Sequence, residues 1–235
     1  MRKNPKMKPI MIVVLACAAM TSVASATISG TVKLVNHNNQ FSEIGTVYGG
    51  GLNGLTGYTG IYSWTNAGST GMGADVPNWG FCIELTQSPY TGWHTMADLE
   101  VSPQPVAYGG PMGTLKANAI RELWGRYFDP AWTTGANNQL AEAFGASLWE
   151  IIYETSSTWN VSSGPGFRAT GIQQAATANT WLNSLNGNTA YFAQNLAVAS
   201  SPLGQDFLTQ IPEPATILLL AMGGLISGWI RKRKK

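Results

Sequence analysis

Short apolar segments separated by glycine and asparagine make up the first part of the chain after residue 26. Alternating apolar and polar positions predict strands over residues 28–35, 44–48, 58–64 and 79–85. Glycine runs interrupt these segments, as loops between strands do. The glycine-rich stretch 49–60 lacks the Gly-Lys-Ser/Thr ending of a phosphate-binding loop, so we interpret it as turns. Residues 27–90 therefore predict a small antiparallel β-sheet or barrel.

The period of the apolar positions changes in the middle of the chain. Helical spacing predicts helices over 115–127, 138–154 and 171–185. The second predicted helix has an inward apolar stripe and acidic residues on its other side; the stripe is Leu140, Phe144, Leu148 and Ile151, and the acids are Glu142, Glu150 and Glu154. Strands at 191–198 and 206–210, within the segment 189–210, return beside the start of the fold. The predicted class is α+β, with one domain over 27–210 and a helical subdomain, 113–186, inserted in a β framework.

Residues 1–26 have the three parts of a secretory signal peptide. Four basic residues precede an apolar stretch, 10–20, that is too short to span a bilayer. Ala24 and Ala26 form a small-residue cleavage site, which predicts that the mature chain begins at Thr27. A retained signal anchor is the alternative.

The C-terminal residues are organised in a similar way. Pro212, Glu213 and Pro214 precede an apolar run, 215–230, which a basic cluster follows; the cluster is Arg231, Lys232, Arg233, Lys234 and Lys235. Sixteen helical residues rise about 24 Å, slightly less than a hydrocarbon core of about 30 Å, so the run predicts a marginal transmembrane helix. The basic cluster favours a cytoplasmic C-terminus, which places the domain outside the inner membrane.

This order of parts over residues 211–235 resembles the PEP-CTERM sorting signal of Gram-negative bacteria. The resemblance implies recognition by exosortase, an enzyme of the inner membrane, with cleavage near Pro212–Pro214. It also implies a transient C-terminal anchor, then release or transfer to the cell surface or extracellular matrix, often with exopolysaccharide production and biofilm. A plain tail anchor with an incidental proline-rich hinge is the alternative.

Removing both ends changes the charge of the protein. Residues 27–210 contain five basic and eleven acidic residues, a net charge of −6, although the whole chain has +2. No basic stripe remains, which argues against nucleic-acid binding. Cys17 leaves with the signal peptide, so Cys82 is the one cysteine of the mature chain and no internal disulfide can form.

Two segments around Cys82 and Trp149 resemble bacterial surface thioester domains. The first is Phe81-Cys82-Ile83-Glu84, and the second is the predicted helix around Trp149. That family joins its cysteine to a glutamine in an internal thioester, which an amine attacks during covalent adhesion. Here Gly145 stands where the family has glutamine, and Gln139 and Gln87 are poorly placed to replace it. We therefore expect a packed, unreactive Cys82, with a reactive bond at Cys82 as the alternative.

Other candidate chemistry is sparse. His37 and His94 lack metal-ligand spacing, Ser147 lacks a nucleophile elbow, and neither a metal nor another cofactor is expected. Glu84 and Glu150 could perform acid/base work on a glycan if they face each other.

Tryptophans in loops could stack on sugars, and Trp93 and Trp132 are the candidates. The sequence thus predicts a non-catalytic structural or adhesive surface protein, whose partners are exosortase, the inner membrane, and an exopolysaccharide or surface protein. A covalent adhesin and a glycan-binding module are the alternatives.

Overall fold

The computed structural model describes residues 28–71, 76–103, 110–136 and 138–212. The strands in these ranges are β1 (Ser29–Gly49), β2 (Leu52–Thr70), β3 (Trp79–Cys82), β4 (Gly92–Asp98), β5 (Phe167–Thr170), β6 (Leu196–Ser201) and β7 (Gly204–Gln210). The α-helices in the same ranges are α1 (Gly113–Tyr127), α2 (Asn138–Tyr153) and α3 (Ala175–Ser184), and short 3-10 helices cover Pro130–Thr134 and Thr189–Tyr191. The predicted signal peptide and C-terminal helix lie outside the described residues.

The sheet closes on itself. Antiparallel pairings run from β1 through β2, β3, β7, β6 and β4 and return to β1, so six of the described strands form a barrel. The fifth strand, β5, pairs with the end of β1 beyond the barrel. The helices follow β4 and precede β6 in the chain. The structure therefore confirms the α+β class, the antiparallel barrel and the return of the last strands to the sheet.

The β1–β2 hairpin is much longer than the sequence predicts. Its turn is confined to Gly49, Gly50 and Gly51, whose φ angles of 91°, 56° and 84° favour glycine. The prediction of turns throughout 49–60 is therefore wrong, because β2 begins at Leu52 and pairs along its length with β1. The partner strand supplies backbone hydrogen bonds that compensate for the weak strand propensity of the glycines.

Helix α2 lies inside the molecule between the β1–β2 hairpin and α3. All residues from Ala141 to Tyr153 are buried, including Glu142 and Glu150, and Glu154 just after the helix is buried as well. The acidic side opposite the predicted inward stripe is therefore buried as well, and Leu140 of that stripe is 37% exposed. A helix that is covered on all sides needs partners for its acids, and the loops around it provide them.

The two ends of the described chain lie at the same end of the barrel. Ser29 pairs with Ala97, the next residue Asp98 pairs with Ala197, and Leu196 next to it pairs with Gln210. We call this end the exit pole. The opposite end, which contains the start of β4 and the tight β6–β7 turn at 201–204, is called the far pole.

Candidate functional site

Cys82 ends β3 and is only 2% exposed. Its Sγ donates to the backbone O of Glu84 at 3.4 Å, and its own backbone O accepts the indole Nε1–H of Trp149 at 2.9 Å. Burial is the main cause that raises the pKa of the thiol, and the nearby carboxylates of Glu84 and Asp206 raise it further. Since the thiolate is the nucleophile, this environment disfavours the reactive form of Cys82.

Gly145 packs directly against β2. A Cβ atom at this position would lie 2.4 Å from Thr59 Oγ1 and 2.7 Å from the backbone N of Gly60. Thr59 Oγ1 is itself fixed by its hydrogen bond to the backbone O of Glu142 at 2.8 Å. The structure therefore leaves no room for the glutamine that a thioester domain has at this position.

The glutamines considered from the sequence lie away from Cys82. Gln139 is exposed and accepts from the Gln174 side chain, and half-buried Gln87 donates to the backbone O of Pro202. Gln205, which sequence reasoning missed, is buried and donates through Nε2 to Glu84 O at 3.1 Å. This is the carbonyl that also accepts from Cys82, so Gln205 is a glutamine in the immediate surroundings of the thiol. No sequence pattern identifies it, because pairing of β3 with β7 brings it there.

Glu84 and Glu150 are both buried, at 2% and 0% exposure, and they contact different groups. Glu84 Oε1 accepts from the backbone N of Thr86 at 2.8 Å and from the Tyr153 hydroxyl at 3.3 Å. Glu150 Oε1 accepts from the backbone N of Asn160 at 2.7 Å, and burial raises the pKa of Glu150 to about 7. Because both carboxylates are buried, neither can reach a glycan at the surface.

The other buried carboxylates also bind backbone N–H groups of loops. Glu154 accepts from four of them, at residues 155, 156, 166 and 167. Glu122 accepts from Asn186 and Gly187 and pairs with Arg126 at 2.7 Å, and Glu142 accepts from Gln173. Hydrogen bonds outweigh burial and lower the pKa of both Glu122 and Glu154. These acids fix the loops that connect the helices, which is a structural role.

The two histidines meet inside the barrel. Their ring centroids lie 6.4 Å apart, and both rings contact Phe207, at 5.5 Å for His37 and 6.3 Å for His94. Burial lowers the pKa of His37 to about 4 and lowers that of His94. Among the described residues no group of three or more metal-ligating side chains occurs. Both imidazoles are therefore neutral at pH 7.

The tryptophans singled out from the sequence have different surroundings. Trp132 lies in a 3-10 helix and is 1% exposed, so the structure removes it from the candidates for glycan contact. Trp93 is the second residue of β4, not part of a loop, and is 50% exposed on the outer wall of the barrel toward the far pole. Sequence reasoning missed β4 because this strand is short and gains its order from pairing with β1 and β6.

A cleft of about 410 Å³ opens at the exit pole, and its presence was not foreseen from the sequence. Trp79 and Phe128 stack in it with ring centroids 5.3 Å apart and planes 11° apart. The remaining lining residues are Pro130, Gln194, Asn195, Gln210, Ile211 and Pro212. The chain thus leaves the domain through this cleft, since Ile211 is held by a hydrogen bond to Asn195 O at 2.8 Å and Pro212 follows it.

Pro212 is exposed, while the other predicted sorting and processing residues lie outside the described residues; these are Ala24, Ala26, Thr27, Glu213, Pro214, Arg231, Lys232, Arg233, Lys234 and Lys235. In the part of the chain that the structure covers, no helix has the length and apolar character needed to cross a membrane. The segment that carries the predicted anchor begins three residues after Pro212.

Comparison with known proteins places the sorting motif on this chain. No curated protein and no solved structure matches the chain as a whole. The resemblance of the central region to thioester domains accordingly stays a prediction. Residues 210–234 match the family model of the PEP-CTERM protein-sorting motif, so the chain carries the sorting signal of an exported exosortase substrate.

Proposed function

We propose that this protein is a non-catalytic structural or adhesive component of the cell surface or extracellular matrix, delivered there by exosortase. The sorting motif at 210–234 is the observation that carries the proposal. The motif begins at Gln210, the last residue of β7, so the sorting segment follows the folded domain directly. Delivery of a closed barrel, which the predicted signal peptide precedes in the chain, is consistent with a protein that works outside the cell.

The surroundings of the candidate catalytic groups support the non-catalytic part of the proposal. Cys82, Glu84 and Glu150 are all buried, and the two carboxylates accept hydrogen bonds from the protein itself. A general acid or base must reach the proton it transfers, and these groups have no exposed face. In this proposal Cys82 is a packing residue of the barrel.

Processing in a host that contains exosortase tests the delivery step. The precursor and its product are isolated, and both termini are identified by mass spectrometry. We expect an N-terminus at Thr27 and a C-terminus near Pro212–Pro214. Replacing Pro212, Glu213 and Pro214 by alanine should leave the membrane-bound precursor intact. Pro202→Ala is the matched control, because Pro202 is an exposed proline outside the motif. Unchanged processing of the triple variant would contradict the proposal.

The same mass measurement tests the covalent alternative at Cys82. A thioester with the neighbouring Gln205 would form a bond from Sγ to the side-chain carbonyl carbon and release one ammonia. We expect the mature domain to have the full mass of its sequence. A mass deficit equal to one ammonia that is absent from the Cys82→Ala variant would show a thioester. It would contradict an inert Cys82 and favour a covalent adhesin.

Glycan binding is a second candidate function, and the exposure of Trp93 favours it. An indole that is half exposed on a strand offers a flat apolar face on which a sugar ring can stack. Retention of the protein on exopolysaccharide from the producing cells, compared with Trp93→Ala, tests this function.

A further inference from the structure

The exit pole contains a set of apolar groups that the core covers only in part. Trp79, Phe128 and Ile211 are half-buried, while Pro130 and Pro212 are exposed beside them. Val101, which follows β4 at the same pole, is 68% exposed. Such a surface suits a partner that is apolar on one side and wet on the other.

The length of chain beyond this pole limits what the partner can be. Ile211 is fixed to the domain, and only Pro212, Glu213 and Pro214 separate it from the apolar run that starts at Ala215. The four residue-to-residue steps from Ile211 to Ala215 span at most about 14 Å when fully extended. While that run is inserted in the membrane, the exit pole cannot move farther than this from the boundary of the hydrocarbon.

The start of the described chain has the same position. Ile28 donates its backbone N–H to Asp98 Oδ1 at the end of β4, so β1 begins at the exit pole. The predicted signal peptide therefore precedes the domain on the same side. Both predicted membrane-directed segments therefore join the domain at this pole, and not at the far pole.

The chemistry of the cleft fits the interfacial region of a lipid bilayer. Tryptophan and phenylalanine rings with amide neighbours, here Trp79 and Phe128 beside Gln194 and Gln210, combine an apolar body with polar contacts, as side chains at a membrane interface do. The charges at this pole include the carboxylates of Asp98 and Glu100, of which Glu100 pairs with Arg121 at 3.0 Å. Anionic lipid is therefore not the source of attraction.

From these observations we infer that the exit-pole cleft lies against the phospholipid interface in the membrane-bound precursor, and that cleavage by exosortase turns it into a water-exposed surface. This inference rests on the proposed function, because it needs the C-terminal run to be inserted before cleavage. The far pole, with Trp93 nearby on the barrel wall, then points away from the membrane.

Spin labels at the two poles test the contact. The precursor is purified from a host without exosortase and reconstituted in vesicles of neutral phosphatidylcholine. One variant carries Gln194→Cys at the cleft, and the matched control carries Leu203→Cys, which is 70% exposed at the tip of the far pole. Both also carry Cys17→Ala, and the native Cys82 is buried and does not take the label.

We expect the label at 194 to collide with a water-soluble nickel chelate severalfold less often than the label at 203. A long glycine–serine linker inserted between Pro212 and Glu213 should remove the difference. Pro130→Cys, on another wall of the cleft, repeats the measurement in case Gln194→Cys disturbs the fold.

Equal collision rates at the two poles in a vesicle-bound precursor would overturn the inference and leave the sorting proposal standing. Shielding that survives the linker would overturn it as well, because the short connection would not be its cause. If the label at 194 is shielded only after exosortase is added, the cleft contacts the enzyme and not the lipid, and the inference is overturned. A precursor that does not float with the vesicles would overturn the sorting proposal together with this inference.

Discussion

The neutral histidines inside the barrel should make the protein sensitive to acid. His37 has a pKa of about 4 in the folded protein and about 6.5 when unfolded. Between these values the unfolded chain binds more protons than the folded one. The contribution of His37 to stability is therefore complete above pH 6.5 and is lost as the pH falls toward 4. We expect His37→Phe to weaken this pH dependence.

The size of the effect follows from the two pKa values. At pH 5 the His37 ring is protonated in the unfolded chain and largely neutral in the folded protein. This difference lowers the free energy of unfolding by at most about 2 kcal/mol. The His37 ring is only half-buried, so solvent screening reduces the expected loss to about 1 to 2 kcal/mol. Phenylalanine keeps a ring to stack on Phe207, which lies 5.5 Å from the His37 ring.

Urea unfolding of the wild type and His37→Phe at pH 7.5, 6 and 5 measures the loss. The quantity compared is the change of unfolding free energy with pH, so a constant packing effect of the substitution cancels. Asp206→Asn is the control of opposite sign, because burial raises the pKa of Asp206 to about 7 and its ionisation disfavours the fold as the pH rises from about 4 to 7. Identical pH dependence in the wild type and His37→Phe would refute the assignment of the acid sensitivity to this histidine.

Three other substitutions test packing, loop fixation and surface contact. Gly145→Ala should lower the free energy of unfolding by about 1 to 3 kcal/mol, because the added Cβ would collide with Thr59. The control Ser147→Ala, two residues later in the same helix, should change it much less. Thermal unfolding of the two variants measures the difference. Glu154→Gln should cost about 2 kcal/mol, since an NH₂ group replaces one carboxylate oxygen among four backbone donors, and hydrogen exchange of residues 155–167 should then speed up. Trp93→Ala should weaken retention on exopolysaccharide about three- to tenfold if the glycan-binding function holds, and unchanged retention would exclude it.

The sequence predicts the elements whose order comes from local pattern. Helices α1 and α2 begin and end within two residues of their predicted bounds, because helical periodicity is a local property. Strands β4 and β5 escaped prediction since each is short and is ordered by a partner distant in the chain. For the same reason the sequence predicts several short strands where the structure has one long hairpin. Pairing between β1 and β2 compensates for the weak strand propensity of the glycines within β2.

The candidate site could be predicted only in part. The sorting motif is a linear sequence and is readable without a fold, whereas the surroundings of Cys82 depend on pairing of β3 with β7. Periodicity puts the acids of the predicted helix on the side opposite its apolar stripe, but it does not tell whether that side is buried. In the structure, loop N–H groups at 160, 166 and 173 bind these acids, and no periodicity encodes that arrangement.

The antiparallel barrel has a mechanical consequence when force acts on its two chain ends. Because β1 starts and β7 stops on the same side, tension between these ends would peel the strands apart from their first pairs, Ser29 with Ala97 and Leu196 with Gln210. Peeling breaks the hydrogen bonds between paired strands one after another, whereas shear along the strands loads all of them at once. A force transmitted from one end of the chain to the other would open the barrel easily, so a domain that resists pulling between cell and matrix would have to receive the load on its opposite side.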